Sequence, residues 1–245
     1  MEAMLPTVAG VGLLFGLRHA LDPDHVAAVS TIVAERRGLR RASLVGTCWG
    51  VGHALSLTVV GGAVLALKLN VPEPLACTLE AVVATLLVAL GVGALRAALR
   101  YRVHAHAHAH DGREHLHFHA HRRDEPHAHR HGHALAGGLR PFAVGLVHGL
   151  AGSAGLALVA LGAAPTWLAG LVYVATLGVG SALGMIALSA LLSLPLTLLE
   201  SRYAAIQRRL QLAAGAWSCG LGLYLLAINV PQALVALFGE SAPVP

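Results

Sequence analysis

The chain has 245 residues, of which 56% are hydrophobic and only 12% charged, with a mean hydropathy of +0.68. These proportions exclude an ordinary water-soluble domain and point to an all-α, multi-span membrane protein, and the length fits one compact helical unit. The formal net charge of +5 at pH 7 and a pI near 9.6 invite a nucleic-acid reading, but the basic residues lie in short segments between apolar runs, where they act as topology signals. No nucleic-acid partner is expected.

The first apolar run covers residues 4–21 and continues past a proline through Val26–Ala34. It has no basic n-region or small-residue cleavage site and contains Arg18 and His19, so it does not read as a removable signal peptide. At its centre lies His19-Ala20-Leu21-Asp22-Pro23-Asp24-His25. Ionisable groups at membrane depth are costly and normally mark an ion or substrate pathway. Imidazole and carboxylate together suit divalent first-row metals, with nickel, cobalt and zinc in front. Pro23 lacks an N–H, and its ring clashes with the carbonyl of His19, so the helix is interrupted here. Asp22, preceding a proline, is pushed out of helical geometry and is placed either to cap a second half-helix that restarts at Pro23 or to ligate the metal. Residues 4–34 would extend about 46 Å as one helix, against a bilayer core of about 30 Å, so a broken or tilted pair of segments is expected. Secondary transporters place their sites at such breaks.

Glu35-Arg36-Arg37-Gly38-Leu39-Arg40-Arg41 closes that run, and further spans are expected near 43–67, 77–99, 139–161, 166–194 and 210–230, six crossings in all. Arg36, Arg37, Arg40 and Arg41 fall in the first loop, Arg96 to Arg140 border or fill the third, and Arg202, Arg208 and Arg209 lie in the fifth. The positive-inside rule then makes the odd loops cytoplasmic and both termini external. Cys48, Cys77 and Cys219 are scattered through apolar sequence without a CxxC pair and read as small core residues.

An internal repeat runs beneath these spans. Gly16-Leu17-Arg18-His19-Ala20-Leu21 matches Gly145-Leu146-Val147-His148-Gly149-Leu150 at an offset of 129. Gly50-Val51-Gly52-His53-Ala54-Leu55 matches Gly178-Val179-Gly180-Ser181-Ala182-Leu183 at 128, and Gly91-Val92-Gly93 matches Gly220-Leu221-Gly222 at 129. One match per span, in the same order, divides the chain into a first three-helix repeat (1–100), a His-rich cytoplasmic loop (101–138) and a second repeat (139–245). Units of three spans enter the membrane from opposite sides, which makes a 3+3 inverted repeat with the substrate expected at its interface. The halves are chemically unequal: His19 corresponds to His148, but Asp22, Pro23, Asp24 and His25 correspond to Ala151, Gly152, Ser153 and Ala154.

The His-x4-Asp-His spacing resembles the signature of the nickel/cobalt transporter family, within the broader NicO group, and the three-plus-three arrangement resembles the LysE-type transporter superfamily. Trp49-Gly50-Val51-Gly52-His53 is similar to the family's second-span Gly-His motif, which makes His53 a ligand candidate. The metal candidates in the spans are therefore His19, Asp22, Asp24, His25, His53 and His148. For His53 the alternative is a ring hydrogen-bonded through Ser56 or Thr58; Ser181 reads as a packing or supporting hydroxyl. Arg18 is placed to pair with Asp22 or Asp24, or to snorkel.

Between His104 and His133 lie 12 histidines: His104, His106, His108, His110, His115, His117, His119, His121, His127, His129, His131 and His133. Such a segment can bind metal loosely in several registers, which suits a buffer or sensor better than a transport site. The resemblance implies a non-enzymatic secondary transporter of the bacterial inner membrane that moves Ni2+ or Co2+, with no resident cofactor. Uptake is favoured, because carrying a +2 ion down the membrane potential gains about 4.6 kcal/mol per 100 mV. Efflux by proton exchange is the alternative. A membrane di-iron enzyme would need about eight intramembrane histidines, and the spans hold four. Expected partners are the divalent ion, membrane lipid and a cytoplasmic metallochaperone. Metal binding requires neutral imidazoles, so affinity should fall as pH drops through about 6.5.

Overall fold

The computed structural model describes residues 4–34, 38–69, 71–110, 113–122, 138–151, 166–198 and 203–238. The helices are α1 (Met4–His19), α2 (Pro23–Val33), α3 (Leu39–Leu67), α4 (Glu73–Arg100), α5 (138–151), α6 (Trp167–Leu198) and α7 (Tyr203–Phe238). Four of them, α3, α4, α6 and α7, are each long and apolar enough to cross a bilayer, and α1 with α2 passes the same test as a pair bent by 59°. The expected fourth crossing begins as α5; residues 152–165 lie outside the described residues.

The bend follows from Pro23. The helical ladder of α1 ends with Asp22 N–H donating to the His19 carbonyl at 3.0 Å, Pro23 has no N–H to continue it, and the next turn opens with Val26 N–H on the Asp22 carbonyl at 3.0 Å. Asp22 has the extended backbone of an N-cap residue (φ −61°, ψ 145°) with Pro23 at the first helical position. Its side chain makes no capping bond, contrary to that half of the sequence expectation. The carboxylate is turned back toward His19 instead.

Packing puts α2 in the centre. It contacts α7, α4, α6 and α3, and His25, Ala27, Ala28, Val29, Thr31, Ile32 and Val33 are all buried. A half-helix apolar on every side belongs inside a bundle, and its small residues let four neighbours close around it. Its far end is tied by side chains: Gln207 Nε2 donates to the Ala34 carbonyl at 3.2 Å, and Gln211 Nε2 to the same oxygen at 3.5 Å. The outer helices pair as α4 with α7, α3 with α6 and α1 with α6. Leu14, Val59, Leu99, Leu191 and Leu223 are exposed on them, as lipid-facing residues should be.

Small residues set the closest approaches. A Cβ at Gly16 would lie 2.9 Å from the Gly180 Cα and 2.7 Å from the Ser181 nitrogen; a Cβ at Gly145 would lie 2.9 Å from the Trp49 carbonyl carbon and 3.1 Å from the His53 nitrogen. Thus α1 lies against α6 as α5 lies against α3. Gly12 faces Tyr173 and Thr176, while Ala20 faces Gly184, so α1 and α6 run in the same direction. With α2 ending beside Gln207 near the start of α7, the bent pair advances along the bundle without turning back.

The membrane-spanning part is all-helical, as expected, and the extended structure among the described residues lies within the His-rich segment. Tyr101–His110 and Arg113–Arg122 form an antiparallel hairpin, in which His104 pairs with His119, His106 with His117 and His108 with His115. Alternating His-Ala sequence has the period of two that a strand has, and period-two sequence can pair where a structureless loop was expected. His127, His129, His131 and His133 lie outside the described residues.

Candidate metal site

Three elements bring the intramembrane histidines together. The break between α1 and α2 presents His19 from the last turn of one and Asp24 and His25 from the first turn of the other. Helix α3 supplies His53 and α5 supplies His148, placed by the backbone approach at Gly145. His25, His53 and His148 are 1%, 0% and 2% exposed, and His19 is nearly as enclosed, with 13% of its side chain accessible. Ring centroids are 4.5 Å apart for His19 and His25, 4.3 Å for His25 and His148, 5.0 Å for His25 and His53, and 5.3 Å for His19 and His53. Trp49 closes one side, its ring 5.7 Å from that of His148.

The carboxylates fix which nitrogen of each ring is left over. His19 Nδ1 donates to Asp22 Oδ2 at 2.8 Å. Asp24 joins two rings, accepting from His25 Nδ1 at 3.1 Å through Oδ1 and from His148 Nε2 at 2.8 Å through Oδ2. A neutral imidazole has one N–H and one lone pair, so donation to a carboxylate assigns the lone pair to the opposite nitrogen. Those opposite nitrogens, His19 Nε2, His25 Nε2 and His148 Nδ1, are buried without a hydrogen-bond partner, and so are both nitrogens of His53. Buried polar atoms without partners are rare and costly, and several converging at one place call for a ligand that accepts lone pairs. A cation does that.

Spacing agrees. Ligand atoms of His19, His25 and His53 lie within 4.8 Å of one another, as do those of Asp24, His25 and His148. A first-row divalent ion holds nitrogens about 2 Å away, so its ligands sit about 3–4 Å apart, a spacing the first triad approaches; in the second, the Asp24 oxygens already accept from His25 and His148. Both triads contain His25.

All six intramembrane candidates read from the sequence thus meet at one place, though not on equal terms. Asp22, with 48% of its side chain accessible, is the most peripheral. Arg18 is exposed, and both carboxylates bond histidines. Ser56 Oγ donates to the His53 carbonyl at 3.1 Å, not to its ring, so the serine alternative for His53 is not realised. Ser181 is fully buried and donates to the Leu177 carbonyl at 2.9 Å. The three cysteines are free.

Sequence reasoning missed the surroundings of the cluster. A cavity of about 320 Å3 adjoins it, lined by His19, Asp24, His25 and His148 on one side and by Glu80, Leu225 and Asn229 on the other. Glu80 comes from α4 and Asn229 from α7. The available signal was the position of Glu80 itself, a carboxylate inside an apolar run and about two turns from the start of α4.

Apolar helices wrapped around buried imidazoles and their partly exposed carboxylate partners define a multi-pass membrane protein with groups inside its bundle that could hold a metal ion. The chain belongs to the NicO family, whose family model, High-affinity nickel-transport protein, matches residues 5–142, more than half of its length. It is also 32% identical over 235 residues to the urease accessory protein UreH of Bacillus sp. (strain TB-90), a match that covers 96% of this chain and 97% of that protein. No solved structure matches it.

Proposed function

We propose that the protein carries Ni2+ into the cell by alternating access, with the ion held by the lone pairs of His19 Nε2, His25 Nε2, His148 Nδ1 and one nitrogen of His53. Asp22 and Asp24 then act through the rings, fixing tautomer and orientation and raising the basicity of the ligating nitrogens. This departs from the sequence expectation for Asp24, which counted it among the direct ligands; for Asp22 that expectation left capping and ligation both open. Asp24 matters more than Asp22, since it orients two rings that belong to different repeats. Cobalt has the same donor preferences and is expected to compete for the site.

The carrier mechanism rests on six crossings in two inverted halves. Support comes from contacts that repeat across the offset: Gly16 against Leu177 and Ser181 in one place, Gly145 against Trp49 and His53 in the other. The partner positions differ by 128, the same spacing that relates the two sequence motifs. The cluster then lies where a hinge between halves would expose it alternately to each side. Uptake is favoured by the membrane potential acting on a +2 ion. The accessory role in the relative's name also fits supply of metal to an enzyme.

The observation that carries the proposal is the set of buried, unpartnered imidazole nitrogens. Its test is nickel-63 flux into proteoliposomes of known orientation, with and without a proton gradient. Potential-driven inward flux that His25→Ala abolishes is the expected result. Outward flux that requires a proton gradient would replace uptake with exchange, and unchanged flux in His25→Ala would remove the ligand assignment.

A further inference from the structure

We propose that Glu80 and Asn229 form a second cation station, an oxygen-donor vestibule that collects the hydrated divalent ion and delivers it to the histidine cluster. The proposal rests on reading that cluster as the substrate site. The two residues are 149 positions apart in sequence and meet only through the antiparallel pairing of α4 and α7. A Cβ at Gly222 would lie 2.7 Å from the Ala84 carbonyl, and Cys77 Sγ reaches Gln232 Oε1 at 3.9 Å. Between those two contacts Glu80 falls level with residues 225–229 of α7. Positions 77, 80 and 84 are spaced by three and four, so they share the helix face turned toward α7.

The chemistry of the two sides of the cavity is complementary. One side carries the cluster; the rest is largely apolar, with one carboxylate and one amide set among Val83, Leu221 and Leu225. Asn229 is 4% exposed, and its Nδ2 donates to the Leu225 carbonyl at 3.0 Å, so its Oδ1 remains as an acceptor for a hydrated cation. Among the described residues of α3, α4, α6 and α7, Glu80 is the only carboxylate beyond the first turn of a helix. Glu80 is exposed on α4, and a carboxylate two turns into a spanning helix costs less at the mouth of an open, partly polar cavity that admits a cation than against lipid. Six waters at about 30 Å3 each occupy roughly 180 Å3, so a fully hydrated divalent ion fits the space. Oxygen donors would hold it through its water shell, and the imidazoles would replace that shell. Glu80 lies toward the Glu73 end of α4, opposite Arg96, and Asn229 lies far along α7 from Arg208 and Arg209. The positive-inside rule puts that end outside the cell, where a transporter working inward must collect its ion.

A single acidic group at the mouth of a low-dielectric cleft raises local cation concentration and capture rate, so its removal should weaken capture more than turnover. Nickel-63 uptake at graded Ni2+ is measured for the parent, Glu80→Gln, Glu80→Asp, Asn229→Leu and His25→Ala. Glu80→Gln is expected to raise the half-saturating Ni2+ concentration about tenfold, with a maximal rate within about twofold of the parent. Asn229→Leu should shift half-saturation in the same direction, and Glu80→Asp should restore most of it. Raising salt from about 10 to about 150 mM should raise half-saturation for the parent and leave Glu80→Gln nearly flat, a response that a packing role would not produce. Unchanged half-saturation in Glu80→Gln, or an equal salt response in both proteins, overturns the vestibule. If His25→Ala abolishes uptake in the same experiment, the cluster reading stands without it; normal uptake by His25→Ala removes the cluster reading as well.

Discussion

The chain carries histidine in two settings, four rings inside the bundle and 12 in the segment from His104 to His133. Inside, burial and carboxylates decide everything: each of three rings has one nitrogen committed to Asp22 or Asp24 and the other left open. In the His-rich segment histidines recur at every second residue within three runs of four, so a metal can slide from one set of neighbours to the next. Few ligands held in one arrangement suit a site that must select and release an ion; many interchangeable ones suit storage.

The comparison predicts unequal responses to equal chemical changes. The largest effect should come from His25→Ala, because His25 belongs to both triads: nickel-63 flux should fall more than about a hundredfold, beyond what loss of a supporting carboxylate costs. Asp24→Asn should come next. It leaves every proposed nitrogen in place but frees two rings to rotate, and Ni2+ affinity measured by calorimetry on purified protein should drop about 10- to 100-fold. A smaller effect, and one on stability, is expected for Gly145→Val. The added side chain would meet the backbone of Trp49 and His53, and overpacking of about 1–3 kcal/mol should appear as a lower thermal midpoint in detergent. The smallest effect on transport should follow replacement of residues 104–133 by a short Gly-Ser linker. Initial uptake should stay within about twofold while the number of Ni2+ ions retained per chain falls. A collapse of uptake in that deletion would erase the distinction between the two settings.

Much of this was legible in one dimension, and the reasons are physical. Pro23 breaks a helix wherever it occurs, so the bend between α1 and α2 could be placed before any contact was known. Four histidines in apolar spans are too costly to be incidental, and all four lie in or beside repeat motifs, which brought His148 into consideration although it is far from the others in sequence. The direction of the Asp22 side chain was not legible, because an N-cap and a histidine partner ask for the same residue in the same backbone conformation. Nor was the pairing of Glu80 with Asn229. Glu80 stands out as a carboxylate in a spanning helix, but Asn229 looks unremarkable in its own, and only the register of α4 on α7 sets the two at one level. The hairpin carries its own mark in the sequence, alternation at period two through Tyr101–His110 and again through Arg113–Arg122.

The glutamine hold on the end of α2 has a mechanical corollary. Ala34 belongs to the first half of the sequence, yet Gln207 and Gln211 moor its carbonyl to the last helix of the second. Under the alternating-access reading proposed above, a rearrangement that keeps this hold moves the end of α2 with the start of α7, so the first half does not swing wholly free of the second. The flex within the first half then falls at the break between α1 and α2, and the residue at that elbow is Asp22.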